Sequence, residues 1–222
     1  MSRITDYAFL FQKSFGTSGV NAIGSFQLSQ LNSSSVQAQL KAAGINTNSK
    51  QYKSAVKQMM SAGNGAMYGN IQGIKNLMSH YDKDGDYINP VNGLSGLLVT
   101  DENESSRKKI ISIPDSSKEE MYELTKKEFL RENGVCNGDT TRRSDVYNNL
   151  YRKMQKKDRL AAGYTLEKYE RIYRQAFYDA AKKADPNWEI GKPIKEGALD
   201  NVTRESIEAK KSLAQSTVDT KI

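Results

Sequence analysis

Residues 165–185, TLEKYERIYRQAFYDAAKKAD, decide the fold class. Tyr169, Ile172, Tyr173, Ala176, Phe177 and Ala180 recur at three- and four-residue intervals, the spacing of one helix face. Thr165 stands where an N-cap belongs, and Pro186 stops the run. This is the strongest helix signal in the chain.

Just before it, residues 144–163, SDVYNNLYRKMQKKDRLAAG, read as a preceding helix carrying Val146, Leu150, Tyr151 and Met154. Residues 116–134 open with Ser117 and Glu120 in capping-box spacing and close at Asn133–Gly134. Upstream, 35–44 ends on Gly44, a good C-cap. Residues 48–63 place Tyr52, Val56, Met59 and Met60 on one side and close at Gly63. Residues 66–81 place Met67, Ile71, Ile74, Leu77, Met78 and Tyr81 on one continuous helical face. "LLVT" (97–100) and "KIISIP" (109–114) read as two short strands, the second ended by Pro114. The expected fold is therefore mainly α, with a small two-stranded β element after an acidic loop. The expected organisation is a flexible or amphipathic leader (1–34), one helical domain (35–200) and a polar C-terminal helix or tail (201–222).

Composition removes several functions. The chain has 222 residues, 37% hydrophobic and 27% charged. That length can bury a core. Cys136 is the only cysteine and His80 the only histidine, which excludes a disulfide framework and argues against a Cys/His zinc site or a histidine-based triad. No apolar run approaches about 18 residues, so no membrane span is expected. The first residues lack a clean apolar region and cleavage site. A cytoplasmic protein, or one exported without a cleavable signal, follows; Ile4, Tyr7, Phe11 and Phe15 sit at helical spacing in a leader of either kind. Net charge is +7. Up to Tyr81, Arg3, Lys13, Lys41, Lys50, Lys53, Lys57 and Lys75 face a single acid, Asp6. "GVCNGDTTRRS" lacks the ending of a phosphate loop, and nothing singles out a catalytic acid or base.

Two stretches carry candidate chemistry. The first is "HYDKDGDYINPVNG" (80–93). Calcium takes six to eight oxygens, which alternate residues of a short loop can supply. Asp82, Asp84 and Asp86 alternate as the first, third and fifth ligands of an EF-hand loop do, and the stretch resembles a truncated EF-hand or dockerin-like loop. With one residue deleted after Asp86, Tyr87 would give a backbone carbonyl, Asn89 the ninth position, and Asn92 the place of the bidentate glutamate. An amide there, and Pro90 at the exit, leave three carboxylates and an expected affinity of roughly 10⁻⁴ to 10⁻³ M. Against calcium stands a simple Asp/Gly turn held by its own Asx hydrogen bonds.

The second is the basic segment 142–159, with Arg142, Arg143, Arg152, Lys153, Lys156, Lys157 and Arg159 interleaved by Tyr147 and Tyr151. Cations neutralise phosphates and tyrosines stack on bases, so a nucleic-acid or anionic surface is one reading. A solvated helix face with its tyrosines turned inward is the other.

Four segments, 76–100, 127–147, 156–181 and 190–208, together resemble an uncharacterised bacterial family of domain-of-unknown-function type. That resemblance implies a bacterial origin and one coherent unit, and brings no activity. The functional expectation is a non-enzymatic structural or interaction protein with an unknown protein partner and a weakly calcium-stabilised loop. The alternative is a nucleic-acid or anionic-surface binder through 142–159.

Overall fold

A computed structural model describes residues 25–62, 68–101, 103–136 and 140–210. The Ile4–Phe15 helix pattern, Gly63 and Met67 lie outside these. The chain divides into two compact units, 1–98 and 99–222, so the boundary falls inside "LLVT".

In the first unit, β1 (Phe26–Gln27) pairs antiparallel with β2 (Tyr68–Gly69), Phe26 opposite Gly69 and Gln27 opposite Tyr68. Two helices, α1 (Ser34–Ala42) and α2 (Lys50–Ala62), lie between the strands in sequence, and α3 (Ile71–Met78) follows β2. Ser33 caps α1 by accepting from the Val36 amide. Its other end closes as the sequence predicts: Gly44 takes φ +78°, and the Ile45 amide reaches back to the Leu40 carbonyl. Leu40 and Ile45 are both buried at that turn.

Three expectations change in this unit. The two-stranded element exists, but before the acidic loop and between residues far apart in sequence. Phe26, Leu28 and Leu31, which fall in the stretch expected to be a flexible or amphipathic leader, are core residues. The helical face expected from residue 66 starts only at Ile71, because Tyr68–Gly69 pairs as a strand and the Asn70 side chain caps the helix through the Gly73 amide at 2.7 Å. Met59 is fully buried as expected, whereas Met60 points outward.

The second unit is built on α5 (Asp115–Arg131), α6 (Thr140–Lys153) and α7 (Arg159–Ala184), with short α4 (Glu104–Arg107) before them and α8 (Arg204–Lys210) after. The apolar stripe of residues 165–185 faces this core: Leu166, Tyr173 and Phe177 are fully buried, and Tyr169, Ile172, Ala176 and Ala180 pack around them. Phe177 lies against Tyr122 and Phe129 with ring centroids 5.6 and 5.7 Å apart. α5 ends where the sequence predicts. Asn133 takes φ +52° and the Gly134 amide reaches the Phe129 carbonyl. Gly134 is needed, because a Cβ would stand 2.9 Å from the Trp188 ring.

Neither "LLVT" nor "KIISIP" is a strand. The second runs as irregular chain, its Ile111 amide bonded to the Thr165 hydroxyl instead of a neighbouring strand. Thr165 is therefore not a cap. It is buried inside α7, which begins six residues earlier at Arg159. The expected helix end at Gly163 is also displaced: the break falls at a 3₁₀ turn, Lys156–Asp158. Gly163 sits inside α7 because the Tyr151 hydroxyl stands 2.5 Å from where a Cβ would be. α5 begins at Asp115, and Ser117, expected to cap it, is fully buried within its first turn.

Candidate functional site

The acidic loop follows α3. Tyr81 and Tyr87 form an isolated antiparallel bridge across it, their rings edge-to-face at 5.9 Å. Between them one oxygen of Asp82, Oδ1, accepts from the amides of Asp84 (2.9 Å) and Asp86 (3.0 Å). The Asp82 amide returns a bond to the Asp86 carbonyl, and the Gly85 amide one to the Asp82 carbonyl. Asn89 Oδ1 accepts from the Val91 amide and Asn92 Oδ1 from the Leu94 amide. The loop thus brings Asp82, Asp84, Asp86 and Tyr87 together in one tight turn. Asn89 and Asn92 organise the turn after it. Among the described residues, no three His, Cys, Asp or Glu side chains gather as a metal-holding group.

α2 grips this loop. Gln51 Nε2 donates to the carbonyls of Met78 and Tyr81, at 3.0 and 2.7 Å. The Tyr81 hydroxyl donates to Gln58 Oε1 two helical turns further on. Gly85, at φ +85°, lies so close that a Cβ would stand 2.7 Å from Ser54 Oγ and 3.0 Å from the Lys50 carbonyl. Sequence reasoning missed Gln51, Ser54 and Gln58. The only available signal was the seven-residue spacing of the two glutamines, which puts them on one helix face.

The second unit buries a charge cluster. Glu128 on α5 is 1% exposed and Glu170 on α7 is 7% exposed. Arg143 on α6 reaches both, 2.5 Å to Glu128 Oε2 and 3.3 Å to Glu170 Oε1. Arg174, one turn along α7, meets the same Glu170 oxygen at 2.6 Å. Burial of a lone carboxylate would be heavily unfavourable, so each carboxylate here has an arginine. Cys136 lies near this cluster: burial pushes its thiol up, Arg174 and Arg143 oppose that, and Glu132 and Glu128 add to it. The thiol therefore stays protonated at neutral pH, the unreactive form.

The structure splits the basic segment. Arg143 turns inward to the carboxylates. Lys153 reaches Ser116 at 3.1 Å and Glu120 at 3.5 Å on α5. Arg159 donates from Nε to the Tyr151 carbonyl. Lys156 is half-buried, while Arg142, Arg152 and Lys157 are exposed. Tyr147 and Tyr151 pack together at 6.1 Å, and burial raises both phenols, Tyr151 to about 12. Both rings are half-buried, Tyr147 against the core of the second unit and Tyr151 against Gly163.

Fold and sites together define a mainly helical protein with a self-bonded acidic turn and a buried ionic bracket. No helix among the described residues is long and apolar enough to cross a membrane. Residues 45–222 match the family model described as a domain of unknown function, DUF3879, and the chain belongs to that family. No curated protein and no solved structure matches the chain. The family match covers both the acidic loop and the three-helix bundle; β1 and α1 lie before it.

Proposed function

We propose that this is a non-enzymatic structural or interaction protein, its charged side chains used to hold helices in place. One observation carries the reading: the two buried carboxylates, Glu128 and Glu170, are bound by Arg143 and Arg174 across α5, α6 and α7. The sign of one substitution tests it. Removing a carboxylate that belongs to the scaffold leaves Arg143 with Glu170 alone and one arm of its guanidinium without a carboxylate, so Glu128→Gln lowers folding stability by about 1–3 kcal/mol. A carboxylate kept for chemistry against the interest of the fold gives unchanged or higher stability on replacement. That second outcome, read by urea denaturation, overturns the proposal.

The acidic loop fits the same reading. Amide N–H groups already supply positive ends to Asp82, and the oxygens of Asn89 and Asn92 are engaged as caps. Calcium at Asp82, Asp84 and Asp86 is the weaker reading of that loop, supported by their alternate spacing alone. For binding to nucleic acid or an anionic surface, Arg142, Arg152 and Lys157 are the candidates, as exposed cations of the segment. Salt-dependent retention on single-stranded RNA, lost in Arg142→Ala/Arg152→Ala, would replace the scaffold reading with that one.

A further inference from the structure

Residues 197–210, comprising α8 and the turn before it, are attached to the bundle by two different kinds of contact. Along one edge the attachment is electrostatic. Arg204 meets Glu119 on α5 at 2.7 Å and Asp115 at 3.6 Å. Glu208 accepts from the Tyr173 hydroxyl on α7 at 2.6 Å and meets Lys118 on α5 at 3.6 Å. The Tyr122 hydroxyl also donates to the Val202 carbonyl. Along the other edge there is space: a groove of ≈ 560 Å³ separates Ala198, Val202 and Ile207 from Ala176, Ala180 and Ala184. Those three alanines, each one turn apart on α7, form a smooth stripe of small residues. Leu199 and Ile207 are the segment's buried apolar anchors. Gly197, at φ +75°, marks its start and supplies a hinge.

A segment held by two apolar anchors and a row of partly exposed ion pairs opens at lower free energy than the close-packed helices beneath it. We propose that residues 197–210 form a salt-sensitive strap that unlatches from α5 and α7 as one unit while the three-helix bundle stays folded.

Native-state hydrogen exchange on the full chain tests this. The reporters are the amides of Asp200, Val202 and Ile207, bonded to Gly197, Leu199 and Thr203. Raising salt from about 0.1 M to about 1 M cuts the screening length from about 10 Å to about 3 Å. Over that change the strap amides exchange about threefold faster or more, whereas Tyr173 and Phe177 amides in α7 hold their rates. Glu208→Gln produces the same acceleration at low salt. Should that variant fail to fold, the salt series on the unaltered chain decides. Strap amides that exchange only together with α7, at rates indifferent to salt, overturn the proposal.

Discussion

Single residues carry most of the geometry that distinguishes this protein from a generic bundle. Gly85 is one. Its φ of +85° and the closeness of Ser54 and Lys50 both exclude a side chain. Gly85→Ala is therefore expected to destabilise by about 1–2 kcal/mol from backbone strain, with the overlap against Ser54 and the Lys50 carbonyl adding to it. Urea midpoints of the two chains read this out. Asp82 is another, since one of its oxygens serves two amides. Asp82→Ala leaves both without that acceptor and costs about 1–2 kcal/mol. If instead millimolar calcium raises the melting temperature and Asp84→Ala abolishes the gain, the loop is a metal site and the self-bonded reading fails. Thr165 links α7 to the irregular 108–114 segment by accepting from Ile111 while donating to Ala161 at 2.8 Å. Thr165→Val keeps the shape, strands the Ile111 amide, and costs about 1–3 kcal/mol in the same assay.

At the scale of elements, the apolar stripe of α7 was legible because its period extends over many turns and every member faces the core. Phe177→Ala, at the centre of that stripe, is expected to cost about 3–5 kcal/mol in thermal or urea unfolding. Helix starts were less legible. α7 begins from a 3₁₀ turn with no side-chain cap, so Thr165 offered a better local signal than the real start. Gly163 looked like a helix end because its packing reason, Tyr151, comes from a different helix. The helix ends at Gly44 and Asn133–Gly134 were readable since their positive φ is a local requirement that glycine or asparagine meets. Strands failed in both directions. "KIISIP" has strand-forming residues and no partner, while β1 and β2 are two residues each, too short for any alternation to show.

For the molecule as a whole, sequence showed the class and left the sites undecided. The alternate aspartates were visible as a motif, but which backbone amides they would accept from depends on the folded turn. Arg143 was indistinguishable from Arg142 in the sequence, yet it points to two buried carboxylates contributed by other helices. The buried tyrosines give a whole-molecule pH signature. Burial raises the phenols of Tyr147, Tyr151 and Tyr173 above the ordinary value of 10.0, Tyr151 to about 12. The folded state then holds protons that the unfolded chain releases, so stability is fully present below about pH 10 and falls as pH rises beyond it. Tyrosinate absorbance should show these phenols ionising together with unfolding, and Tyr151→Phe should blunt the alkaline loss. The central claim, that the buried charges are scaffold, is tested most directly by a double-mutant cycle on Glu128→Gln and Arg143→Met. Each single change is expected to be strongly destabilising. The pair should recover at least about 1.5 kcal/mol relative to the sum of the singles, the size of coupling found for contacting residues. Additive losses, or a single change that raises stability, would contradict the account.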